Sequence, residues 1–208
     1  MERPEKENLL LIFTRNPELG KCKTRLAAAV GDRAALDIYR FLLDHTQLIT
    51  KSVDAKKEVY YSEEIWEEDI WDRKYYEKQL QNGEDLGERM LNAFKHGFEA
   101  GYRRIVIIGS DMYDLSTQDL DHAFQQLHSH DYVIGPASDG GYYLLGMNRL
   151  CTSVFARKAW GTKTVLEDTL RDLKNKNTKL LKIKNDVDLY ADIANVAAFQ
   201  PFLKHLKK

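Results

Sequence analysis

The chain predicts an α/β fold built on a largely parallel sheet. Three observations carry this. Short apolar runs alternate with longer amphipathic ones. One run, Ile105–Ile108, is apolar on both faces, as a strand at the centre of a covered sheet must be. Neither a repeat nor a low-complexity linker interrupts the pattern, so residues 1–208 are expected to form one domain.

The elements follow in order. Leu9–Phe13 reads as the first strand. A helix from about Lys23 to Val30 is interrupted at Gly31, and a second runs from about Asp32 to Lys51. Glu58–Tyr61 is a short second strand, Glu63–Asp72 a helix or helical turn carrying Trp66 and Trp71, and Tyr75–Leu80 a third strand. Gly87–Ala100 is a helix with Gly101 as its C-terminal cap. Arg104–Gly109 is the clearest strand of all. Ser116 starts the next helix, with Asp119 three residues on as in a capping box. Tyr132–Gly135 and Tyr142–Met147 are strands around a glycine-rich turn. Thr164–Lys174 is a helix, Lys179–Ile183 a last strand, and Asp192–Leu206 a terminal helix that Pro201 kinks or restarts.

Composition narrows the function classes. The formal net charge of -1 gives no global attraction to nucleic acid or anionic membrane, so any anion site must be a local cluster. Cys22 and Cys151 lack metal spacing, and a reducing cytoplasm is the expected location. The polar N-terminus and the five-residue apolar run after it are too short for a signal-peptide core or a membrane span.

Three strand ends concentrate polar chemistry, and ligands of open α/β sheets bind beyond the carboxyl ends of strands. After Phe13, the segment TRNPELGKCKTRL places Lys21, Lys23 and Arg25 at the start of a helix, with Arg15 in the same loop. Cations there oppose the helix dipole by about 0.3–1 kcal/mol each. A bound phosphate would reverse that sign, so the segment reads as a polyphosphate cradle or as a solvated basic loop. After Gly109, Asp111 follows the central strand directly. Ser116 is better placed to cap the next helix, which leaves Asp111 available for a divalent cation. Asp114 is a weaker candidate that could instead close the turn. The third segment, GPASDGGYYLLG, is both a tight turn and a candidate site, with Asp139, Gly140, Gly141 and Tyr142 at its tip. Asp186 and Asp188 could add carboxylates, whereas Asp192 could simply cap the last helix. In QNGEDLGERM, Gln81, Gly87 and Arg89 are possible ligand contacts beside acidic residues that suit a helix start. No His/Cys cluster, nucleophile elbow or full P-loop is present.

In order, NPELGKCKTRL, EDLGERM, IGSD, GPASDGGYYLLG, WGTKTVLEDT and DVDLYADI resemble the radical-SAM/selenodomain-associated transferases, small proteins with a Rossmann-like GT-A fold. The resemblance spans residues 9 to 195. It implies a mixed, mostly parallel sheet flanked by helices, with Lys23 and Arg25 on phosphate. It also implies Asp111, with Asp188, on Mg²⁺ or Mn²⁺, and Asp139, Gly140 and Gly141 around the donor or acceptor. Two positions depart from the pattern. Met112-Tyr113 stand where the family has Cys-Pro, and Leu189 stands where it has Thr.

The expectation is therefore a metal-dependent transferase that uses a nucleotide or nucleotide-sugar donor and a small-molecule acceptor. Glycosyl transfer is the first reading, with Asp111 and Asp139 as catalytic residues. Nucleotidyl transfer with loss of pyrophosphate is the alternative. A non-catalytic nucleotide-binding module, motivated by the two departures, is the third.

Overall fold

A computed structural model describes residues 6–206. Seven strands form one mixed sheet: β1 (Lys6–Thr14), β2 (Lys56–Tyr61), β3 (Glu77–Leu80), β4 (Tyr102–Gly109), β5 (Tyr132–Pro136), β6 (Tyr142–Met147) and β7 (Thr178–Leu180). Their order across the sheet is β3-β2-β1-β4-β6-β5-β7, so the doubly apolar β4 is the central strand. All neighbours are parallel except β6, which runs antiparallel to both β4 and β5. Among the described residues, six α-helices flank the sheet: α1 (Thr24–Val30), α2 (Asp32–Thr50), α3 (Leu86–Glu99), α4 (Thr117–Gln126), α5 (Val165–Asp172) and the single turn α6 (Tyr190–Ile193).

The period-two alternation of the strands builds both faces of the core. Leu10 and Ile12 of β1, with Val106 and Ile108 of β4, meet Leu36, Tyr39 and Leu43 of α2 and Leu120 and Phe124 of α4. Leu9, Leu11, Ile105 and Ile107 point the other way, against Met90 and Phe94 of α3 and Phe155 of the 3₁₀ turn Thr152–Phe155. A third cluster joins Leu26 and Val30 of α1 and Ile38 and Leu42 of α2 to Val187, Ile193, Phe199 and Leu203. The C-terminal segment thereby packs against α1 and α2.

The register aligns the carboxyl ends of the parallel strands. Phe13 pairs with Gly109, Thr14 with Tyr61, and Tyr61 with Leu80. Because β6 is antiparallel, the turn before Tyr142 comes to the same edge. Ala137 bridges Lys184 there, which draws in residues 184–188. Loops scattered through the sequence thus share one rim.

Three expectations are corrected. Glu63–Asp72 is irregular rather than helical. Asp69 turns the chain there, accepting from the Trp71 amide at 2.9 Å, from the Lys78 ammonium at 2.7 Å and from the Tyr61 hydroxyl. Lys78 also donates to the carbonyls of Trp66 and Glu67, so side chains satisfy backbone groups that a helix would have paired internally. The terminal helix is broken into α6 and a 3₁₀ run, Ala197–Leu206, which contains Pro201. Proline removes a donor and crowds the preceding turn, and Gln200 Nε2 binds the freed Ala194 carbonyl at 2.8 Å. Finally, β7 ends at Leu180. The expected capping box is present: the Ser116 side chain accepts from the Asp119 amide, and Asp119 accepts from the Ser116 amide at 2.9 Å.

One buried side chain from α2 ties the rim together. The Tyr39 hydroxyl accepts from the Arg15 amide at 2.9 Å and lies 3.1 Å from Ser110 Oγ and 3.4 Å from Thr14 Oγ1. Ser110 Oγ in turn donates to Thr14 Oγ1 at 3.1 Å. The first residues beyond β1 and β4 are held to each other by this network.

Two stability effects follow. Tyr39→Phe strands the polar groups that meet at that hydroxyl, so urea unfolding should show a loss of about 1–3 kcal/mol with an unchanged m-value. For Asp119, partial burial disfavours the charge, but Ser116 and Lys184 outweigh it and hold the pKa below the usual carboxylate range. A depressed folded pKa contributes stability above about pH 4 that is lost as pH falls through the folded value. Asp119→Ala should cost about 1 kcal/mol at pH 7, and its deficit against the parent should shrink steadily in unfolding curves taken below about pH 4.

Candidate active site

The loop between β1 and α1 carries the cations into a cleft of about 730 Å³ along the rim. Lys23, in the left-handed conformation at φ 50, is the last residue before α1. That conformation costs a non-glycine residue energy, and the side chain it directs inward is only 7% exposed. The Lys23 ammonium meets Asp111 Oδ2 at 2.8 Å, joining the β1–α1 loop to the end of the central strand. Arg25 Nη1 meets Asp188 Oδ2 at 2.9 Å. Lys21 pairs with Glu18 at 2.9 Å and Glu63 at 3.5 Å. Arg15 also lines the cleft, and its guanidinium has no ion-pair partner among the described residues.

Burial opposes the charge on both members of the central pair, yet each stabilises the other. Asp111 is held below the usual carboxylate range by Lys23, with Arg15 contributing. Lys23 is held above its ordinary value by Asp111 and Asp188. Asp186, half-buried, goes the opposite way: burial and the neighbouring charges of Asp139 and Asp111 push its pKa up. Asp111, Asp139 and Asp186 together line a recess of about 130 Å³ beside the cleft.

Among the described residues, no three His, Cys, Asp or Glu side chains are arranged to hold a metal ion. Asp111 and Asp188 each spend one oxygen on a cation. The donor set still fits Mg²⁺ or Mn²⁺ chemically, because it consists of hard carboxylate oxygens.

The remaining candidates separate into ligand-facing and supporting groups. Asp139, Gly141 and Tyr142 line a second pocket of about 260 Å³ that shares Phe13, Leu86 and Gly109 with the main cleft. Asp139 Oδ1 accepts from the Gly141 amide at 2.8 Å, and Oδ2 has no hydrogen-bond partner among the described residues. Gly140 and Gly87, expected at the ligand, support the walls instead. A Cβ on Gly140, at φ +93, would come within 2.2 Å of the Lys163 carbonyl, and its own carbonyl accepts from the Leu166 amide at the start of α5. Gly87 is buried, and a Cβ there would meet Phe155 O at 2.5 Å and Trp160 at 2.6 Å. Gln81 is also structural, donating to the carbonyls of Thr14 and Tyr60 and accepting from Arg89. Asp192 caps α6 by accepting from the Leu189 amide at 2.6 Å.

Of the residues at the two departures, Met112 lines the recess beside Asp111, Asp139 and Asp186, whereas Tyr113 and Leu189 line neither that recess nor the cleft. Met112 is buried, and Tyr113 packs against Phe41 and Phe199. Leu189 is exposed beside α6 and contributes its amide to Asp192. Tyr39, Ser110 and Trp160 were not legible as site residues. Their positions depend on α2, on the end of β4 and on the loop before α5 meeting at one rim, and no local sequence signal reports that.

No curated protein matches the sequence. Among solved structures, one is a protein from Desulfovibrio desulfuricans G20 provisionally described as a nucleotide-diphospho-sugar transferase. It superimposes with a TM-score of 0.84 at 29% identity, covering 97% of this chain and 96% of that one. A cytidylyltransferase from Leptospira borgpetersenii shares the fold at a TM-score of 0.61 and 12% identity, covering 98% and 94%. The Rv0371c protein of Mycobacterium tuberculosis, in complex with manganese, gives 0.50 and 15%, covering 96% and 99%. The mixed sheet is therefore that of the nucleotide-diphospho-sugar transferases and cytidylyltransferases. Residues 46–162, from the end of α2 through Asp111, Asp139 and Trp160, match the family described as "Uncharacterized protein conserved in bacteria" (DUF2064), to which this chain belongs.

Proposed function

We propose that the protein transfers a glycosyl group from a nucleotide-diphosphate sugar to the hydroxyl of a small acceptor, within a single catalytic domain. The observation that carries this is the pairing of two unlike chambers at one rim. A cleft lined by Arg15, Lys21, Lys23, Arg25 and Arg89, together with the carboxylates Glu63, Glu84, Asp85, Asp111 and Asp188, opens beside a pocket whose one charged lining residue is Asp139. The first suits a polyphosphate and the second an uncharged nucleophile. The nucleotide-diphospho-sugar transferase description of the Desulfovibrio protein supports the same reading.

The residues act as follows. Lys23 and Arg25 leave Asp111 and Asp188 for the donor's diphosphate, whose charge replaces that of the carboxylates. Arg15 adds a cation with no ion-pair partner among the described residues. Asp111 and Asp188, so released, would hold Mg²⁺ or Mn²⁺, which when bound supplies positive charge against the leaving diphosphate. Asp139 Oδ2 takes the acceptor's hydroxyl proton as that oxygen bonds to the anomeric carbon. The bond from that carbon to the phosphate oxygen breaks, and its electron pair leaves with the nucleoside diphosphate. Fixed cations near the departing oxygen favour the transition state over the ground state, because charge grows there during the step.

Nucleotidyl transfer is the second reading, favoured by the cytidylyltransferase likeness in fold. There the acceptor oxygen would attack the α-phosphorus of a nucleoside triphosphate, and pyrophosphate would depart.

Product analysis tests both. The protein is incubated with nucleoside triphosphates and with nucleotide sugars, with and without Mg²⁺ or Mn²⁺. Release of nucleoside diphosphate is the expected outcome, whereas pyrophosphate would establish the second reading. Asp139→Asn should lower kcat by about 10²–10⁴ with nucleotide binding retained. Lys23→Met should weaken donor binding and lower kcat by about 10²–10³. Full turnover by either variant would remove that residue from the scheme.

A further inference from the structure

We propose that the acceptor is a neutral alcohol with an apolar, ring-sized body, bound in the 260 Å³ pocket with its hydroxyl at Asp139. This inference rests on the transferase reading above and specifies its second substrate.

The walls of the pocket are the argument. Phe13, Met90, Trp160 and Val165 supply apolar surface, and no Lys, Arg or His lines it. A phosphorylated or carboxylated acceptor would lie against apolar walls without a counter-ion and beside the like charge of the exposed Asp139 carboxylate. The main cleft next door differs in having five cations, set among five carboxylates.

Polar groups in the pocket are few and mostly occupied. Thr162 Oγ1 donates to the Ala159 carbonyl at 2.8 Å, and the Tyr143 hydroxyl donates to the Lys182 carbonyl at 3.0 Å. That leaves Asp139 Oδ2, the Tyr142 hydroxyl and the Trp160 indole Nε1, the last of which is buried against Gly87 without a hydrogen-bond partner among the described residues. Among the described residues, the Tyr142 hydroxyl has the Met90 sulfur, at 3.9 Å, as its one partner. Thioether sulfur is a weak acceptor, so this hydroxyl can turn to a ligand oxygen. Asp139 Oδ2 and the Tyr142 hydroxyl, one acceptor and one donor, match a single hydroxyl. A polyol would bury further hydroxyls without partners, each costing roughly tenfold or more in affinity.

The apolar wall is built in, not incidental. Trp160 lies against the bare backbone of buried Gly87, where no Cβ could fit. Gly161, at φ +78, lets the chain turn sharply behind the ring. The indole and Asp139 thereby line one pocket.

Ligand-observed NMR on the full chain tests this with three probes of one size class. They are 4-methylbenzyl alcohol, 4-methylbenzoate and methyl α-glucoside, each titrated alone, with uridine and guanosine diphosphates plus Mg²⁺ titrated in parallel. The alcohol should bind at least tenfold more tightly than either other probe. Trp160→Ala should weaken the alcohol at least tenfold while leaving nucleotide binding intact, which also shows that the variant is folded. Trp160→Phe should retain most of the affinity. Asp139→Asn should narrow the preference for the alcohol over the benzoate. Equal or tighter binding of the benzoate or the glucoside, or alcohol binding indifferent to Trp160, would overturn the assignment while nucleotide binding left the transferase reading standing. Absence of nucleotide binding under all conditions would remove that reading and the acceptor role together.

Discussion

The ion pair between Lys23 and Asp111 is the constraint on which the rim depends. The lysine is almost wholly buried, whereas the carboxylate opens onto the cleft. A buried ammonium without a partner costs several kcal/mol, which is why breaking such a pair from one side is far more damaging than never having built it. The pair therefore fixes the β1–α1 loop against the end of β4, and it does so with the two side chains that the proposed chemistry requires. The Tyr39 network alongside secures the same junction with neutral groups. Charge and neutral hydrogen bonds divide the work: the network sets the backbone, and the ion pair stores cation and anion in mutual compensation until a charged ligand can replace one of them.

The sheet explains why a charged cleft and an apolar pocket share one edge. The parallel strands β1, β2, β3 and β4 send their carboxyl ends, and hence their polar loops, to the same side. The antiparallel strand β6 delivers its N-terminal end there instead. Its turn brings Asp139 and Gly141 next to Gly109, while Trp160 arrives from the loop before α5. Phe13 and Leu86 contribute to both chambers, so they form the partition between them.

Glycine is used here more for packing than for ligand contact. Both Gly87 and Gly140 sit in sequence segments that resemble binding loops, yet each accommodates a neighbouring piece of protein. Neither lines the cleft or the pocket, and a close approach looks the same in sequence whatever is doing the approaching. Gly141, by contrast, lines the pocket and donates its amide to Asp139. Helix caps were more legible: Ser116 with Asp119 and the stop at Gly101 depend on residues within a turn of one another.

By itself the sequence determined the fold class, the central place of β4 and the carboxyl-edge loops that hold Lys23, Asp111 and Asp139. Each of these follows from local periodicity or from a residue directly beyond a strand, so the information lies within a few positions. Only the tertiary structure decided that Glu63–Asp72 is irregular and that the last helix breaks. It alone paired Lys23 with Asp111 and Arg25 with Asp188, and it alone brought Trp160 and Asp139 into one pocket. Those outcomes depend on partners 9 to 163 residues away in the chain, such as Lys78 for Asp69 and Asp188 for Arg25. Buried charge and unpaired backbone groups must find partners wherever the fold places them, and that placement is a property of the packed molecule rather than of any stretch of its sequence.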